Sequence, residues 1–142
     1  MQTDIQERCE KIEAGYEFML SYAAQGLPSD EGSASGKQLR DHLARMVEAL
    51  RGIDACCAEL VKKEQLAPPD RYQSLFAVLS RDAQNALAVI DVVLLQPAIS
   101  SQLIDNLNAS MHVRALLTDL FLITEILELR QMRLQADLNV LS

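Results

Sequence analysis

Residues 113–129, VRALLTDLFLITEILEL, form the most densely apolar run of the chain. At 100° per residue, Arg114, Thr118, Glu125 and Glu128 fall on one narrow stripe, while leucines, isoleucines and Val113 occupy most of the remaining circumference. The pattern predicts a helix buried on most sides, against which the other helices pack. A membrane span needs about 20 consecutive apolar residues, and here Arg114, Asp119, Glu125 and Glu128 interrupt the run every few positions. The segment reads as a core helix.

Outward from it, composition sets the class. The chain has 142 residues, 49% hydrophobic and 23% charged, an ordinary globular balance for one domain with a real core. Its net charge of −7, with Lys and Arg scattered, leaves no electrostatic footprint for nucleic acid or an anionic membrane and favours a protein partner with a basic face. Aromatic residues make up 4% with no Trp, too few for a base-stacking platform. Three cysteines, Cys9, Cys56 and Cys57, and an opening MQTDIQERCEKIE without a basic-then-apolar leader pattern place the protein in the reducing cytoplasm.

Thr3 and Gln6 have capping-box spacing and start a first helix whose seam is Ile5, Cys9, Ile12, Tyr16, Met19 and Ala23, stopped by Gly26 and Pro28. The stretch GLPSDEGSASG, 26–36, lacks periodicity and reads as a flexible loop. Ser35 with Gln38 opens a second helix, with Leu39, Leu43, Met46, Leu50, Ile53, Cys57 and Leu60 on one continuous seam. Pro68, Pro69 and Asp70 restart the chain, and Tyr72, Phe76, Leu79, Ala83, Ala86, Ile90 and Val93 line a third helix. After Pro97, a helical pattern of about forty residues runs to Leu141, some 60 Å if straight against about 45 Å for the second helix. A kink or break is therefore expected near Asn106–Ser110, or else Met132, Leu134, Leu138 and Leu141 extend past the bundle. The fold class is all-α: an antiparallel four-helix bundle with a long, kinked C-terminal helix.

Chemistry is thinly signalled. His112 and Asp119 miss the polar stripe of the C-terminal helix and lie within about 20° of each other, but seven residues separate them by about 10 Å along the axis. A small ligand could bridge them; alternatively, each makes a structural hydrogen bond. No Glu-x-x-His pair, Cys/His ligand spacing, nucleophile elbow or phosphate loop is present, so neither a metal nor another cofactor is expected. The turn DHLARM resembles the histidine phosphotransfer family in His42 and Arg45, while Met46 stands where that family carries a small residue. Phe18 and Tyr22 lie off the first seam, and Phe121 lies near the polar stripe; each is either covered by another segment of the same chain or marks a contact with another protein or with a second copy. The expected function is a non-enzymatic interaction or regulatory module, homodimeric, binding a protein through an apolar helix-lined surface. The alternative is a small-ligand or effector-binding bundle with a pocket near His112 and Asp119.

Overall fold

The computed structural model describes residues 3–141, and among them every regular element is a helix. There are six: α1 (Asp4–Ala24), α2 (Ala34–Arg51), α3 (Ile53–Lys63), α4 (Pro69–Leu94), α5 (Ser101–Ala109) and α6 (His112–Leu141). The expected four arise as six because two long apolar periods are each broken once. The first break is at Gly52, which ends α2 and begins α3. There the Arg8 guanidinium, from α1, donates to the carbonyl of Ala49 at 2.8 Å, the carbonyl a continuous helix would offer to residue 53. A side chain on Gly52 would collide with that guanidinium. The second break falls at Ser110 and Met111, where Met111 takes a left-handed φ of 68°, next to the weak helix formers Asn106, Asn108 and Ser110.

Local signals explain most helix starts. Thr3 and Gln6 form the reciprocal capping box, Pro69 occupies the first turn of α4, and Ser100 accepts from the amide of Leu103 at 3.0 Å to start α5. α2 starts two residues earlier than its expected cap, because Ser33, not Ser35, accepts from the amide of Gly36 at 2.9 Å. On α4 the buried residues are Phe76, Leu79, Ala83, Ala86, Ile90 and Val93, the expected seam with Tyr72 half-buried.

The centre of the fold is α1 rather than α6. α1 packs against α2, α3, α5 and α6, whereas α6 rests mainly on α4 and α1. Serving several neighbours, α1 buries a face that includes Gly15 and Tyr22 and leaves Tyr16 and Ala23 half-buried. α6 buries a narrow stripe of Val113, Leu116, Leu117, Leu120 and Ile123, and Phe121, Leu122 and Leu129 remain exposed. The expectation of a helix enclosed on most sides is thus corrected: density of leucine supplies apolar surface, but coverage depends on where neighbouring helices end.

A polar knot closes one end of the bundle. Asp30, in the segment read as a flexible loop, is buried, and its carboxylate accepts from Arg40 Nε at 2.5 Å and from the amide of Ile99 at 2.6 Å. Arg40 also donates to the carbonyls of Leu94 and Gln96 at the end of α4. The Tyr22 hydroxyl donates to the carbonyl of Ile99 at 2.7 Å, and Ser101 bonds to Leu27 and Tyr22. Leu27 and Asp30 are therefore tied to the α4–α5 connection, which satisfies backbone groups that a helix terminus leaves open. Arg8, Arg40 and Arg130 share one device: each places its cation on carbonyls at or just past the C-terminal end of another helix, where the helix dipole is negative.

Candidate interaction surface

α6 has 30 residues, about 45 Å of helix, and only its first half has neighbours throughout. The last tie is Arg130, which donates to the carbonyl of Glu64 at 2.5 Å and pairs with that residue's carboxylate at 3.5 Å. Beyond it, residues 131–141 are all exposed. This segment is no ordinary polar tail. Leu134, Leu138 and Leu141 fall within about 60° of Leu116, Leu120 and Ile123 on the helical circumference, so the stripe that is core in the body continues into water. Leu134 is 39% exposed, Leu138 61% and Leu141 84%. Met132, Leu129 and Val140 add apolar surface on other sides of the same helix.

Where the projecting half leaves the body, a cleft of about 200 Å³ opens between the start of α1, the end of α3 and α6, lined by Ile5, Leu60, Thr124, Leu127 and Gln131 among others. A second cleft of about 540 Å³ shares Ile5, Leu60 and Glu64 and runs on towards Gly52. The surface is thus a projecting helix with an apolar stripe, beside a recess where Ile5, Leu60 and Leu127 are rimmed by polar and charged side chains such as Glu64, Glu128 and Arg130.

The residues singled out in the sequence separate. Phe121 is 45% exposed on α6, as its position near the polar stripe implies. Phe18 is half-buried and stacks on His42, with ring centroids 4.7 Å apart. Tyr22 is fully buried in the knot and so is a core residue, not an interface residue: its hydroxyl has a partner within the chain, which lets a polar ring lie inside. His42 is half-buried under Phe18, and burial together with the positive charge of Arg45 holds its pKa below the usual histidine value.

His112 and Asp119 both lie half-buried on α6, two turns apart, and neither lines the cleft beside the projecting half. Asp119 is brought to a different residue, Asp82 of α4. Its Oδ2 is buried with no donor reaching it among the described residues, and the neighbouring carboxyl can bond to it only if one of the two holds a proton. Burial first, then the hydrogen bond and charge of Asp82, push the Asp119 pKa up to about 7. The pair can therefore hold one proton near neutral pH, and a cation could replace it.

Burial pushes the three unpaired thiols up, Cys9 and Cys57 to about 11 and Cys56 to about 12, which keeps them protonated and poorly nucleophilic. Among the described residues no three His, Cys, Asp or Glu side chains are grouped to hold a metal, and no helix is long and apolar enough to cross a membrane. No protein-family model, curated protein or solved structure matches the chain.

Proposed function

We propose that the protein is a non-enzymatic helical interaction module, cytoplasmic and homodimeric, which binds protein through the apolar surface of α6. One observation supports this above the others: the buried stripe of α6 runs on through Leu134, Leu138 and Leu141 after the body of the protein has ended. The eleven residues beyond Arg130 continue α6 with their apolar stripe packed on nothing in the body, and that stripe is the surface a partner would cover. Low thiol reactivity and the half-buried, stacked His42 fit the non-enzymatic reading. The test places a photo-activatable residue at Leu138 of the full chain in host cells, with exposed Arg71 as the control position. Discrete adducts from 138 and none from 71 are expected; the same diffuse labelling from both contradicts the proposal.

A second reading, a small-ligand site at Asp119, is favoured by the buried Oδ2 that lacks a donor. A cationic ligand group would supply that bond and release the shared proton. It requires a ligand that raises the melting temperature of the native chain but not of Asp119→Asn.

A further inference from the structure

We infer that the projecting half of α6 is covered by a second copy of the chain, laid antiparallel about a two-fold axis at Leu134, with the tip of each α6 closing the cleft of the other. The inference rests on the reading of α6 as the working surface and specifies what occupies it.

The spacing of the leucines is the first reason. Leu127, Leu134 and Leu141 stand seven residues apart on one face and are symmetric about Leu134. An antiparallel pair centred there sets Leu134 against Leu134 and Leu127 against Leu141, three leucine layers in a row. Leu138 then lies against the aliphatic stem of Arg130, whose guanidinium is held on Glu64. Leu127 lines the cleft between α1, α3 and α6, so Leu141 of the second copy arrives at its mouth. The cleft is the space that lets the incoming helix end pass the body.

Charge supplies the second reason. On the projecting half, Arg133 and Asp137 lie on the same flank of the leucine seam, and the other flank carries Gln131 and Gln135. Antiparallel helices bring like flanks together. Each Arg133 therefore faces Asp137 of the second copy, offset by about 3 Å along the axis, and symmetry repeats the pair. A parallel pair would turn both charges towards Gln131 and Gln135 instead.

Area sets the strength. On the face turned to the second copy, Leu134, Leu138 and Leu141 together expose roughly 300 Å² of apolar surface per chain, the size of a large patch on a lone monomer. Two copies supply roughly 600 Å² from these leucines, below the standard size of a specific interface, so the dimer is weak and forms towards the upper end of the concentrations tested.

Sedimentation velocity of the full chain from about 1 to 500 µM, with four variants, tests it. The native chain is expected to dimerise in this range, and Leu134→Glu to weaken dimerisation by about tenfold or more, because it sets two carboxylates on the axis. Arg133→Asp and Asp137→Arg each weaken it about two- to tenfold, and the double exchange Arg133→Asp with Asp137→Arg restores it. All these positions are exposed, and unchanged helical circular dichroism verifies the body. A native chain monomeric throughout, or a dimer indifferent to Leu134→Glu, overturns the inference. So does a double exchange no tighter than either single one, which removes the antiparallel placement while leaving the α6 surface standing. Failure of the wider reading shows separately, as loss of the discrete photo-adducts from position 138.

Discussion

Replacing Asp119 by Asn should stabilise the protein above neutral pH and leave it nearly unchanged below about pH 4. In the fold the Asp119 carboxyl has a pKa of about 7 against 3.8 for the free side chain. The folded state thus keeps a proton that the unfolded chain releases as the pH rises from about 4 to 7. The contribution of this group is fully present below about pH 4, is lost as the pH rises through 7, and is flat above about pH 8. Full linkage over that interval would be about 4 kcal/mol, but Asp119 is only half-buried and solvent screening reduces it to about 1–2 kcal/mol. An amide at position 119 donates to the Asp82 carboxylate without needing a proton, so the penalty vanishes. Urea unfolding of both chains at pH 5, 6, 7 and 8 measures the difference. The gap should grow from about a third of its full size at pH 5 to about 1–2 kcal/mol at pH 8, or about 3–6 °C in melting temperature. Asp82→Asn removes only the hydrogen-bond and charge contributions and leaves the burial of Asp119, so it should give a smaller gain over the same pH range, and the two changes should not add. Parallel curves for the native chain and Asp119→Asn across this range would refute a shared proton between α4 and α6.

The knot carries the opposite pH sign. Hydrogen bonding to Arg40 holds the Asp30 pKa below its ordinary value, so its contribution is present above about pH 4 and is lost as the pH falls through the folded value. Asp30→Ala should cost about 2–4 kcal/mol at pH 7, by leaving Arg40 and the Ile99 amide unpaired, and less at pH 3, as read by denaturant unfolding at both. Tyr22→Phe removes only the bond to the Ile99 carbonyl and should cost about 1–2 kcal/mol in the same assay. Gly36→Ala drives a Cβ into the Asp30 carbonyl, a backbone atom that cannot step aside, and should lower the melting temperature by more than Tyr22→Phe does.

What could be read directly from residues was local. The Thr3 capping box, the Gly26 stop with its φ of 67°, the α4 seam and the break near Asn106–Ser110 all depend on neighbours within a few positions. The break at Gly52 was not legible, because the group that holds it open is Arg8, 41 residues before the carbonyl it takes. The same holds for Asp30, whose partner Ile99 lies 69 residues away, inside a stretch whose Gly and Ser content spoke for looseness. Tyr22 looked available because the 3–4 spacing drew the first seam through Tyr16 and Ala23, one face short of the wider stripe a central helix buries. Of the candidate site, Asp119 stood out as a polar residue on an apolar face, but Asp82 gave no signal of its own. The projecting leucines were visible as a helix too long for its neighbours; where coverage stops was set by Arg130 and Glu64, a tertiary contact.

On this account the helix beyond Arg130 serves association rather than the stability of the body. Sedimentation equilibrium and thermal unfolding of the full chain beside a chain ending at Arg130 separate the two roles. The shortened chain is expected to be a folded monomer that melts within about 2 °C of the full chain at low micromolar concentration, while the full chain dimerises as concentration rises. Equal association of the two, or unfolding of the shortened chain, would contradict the claim.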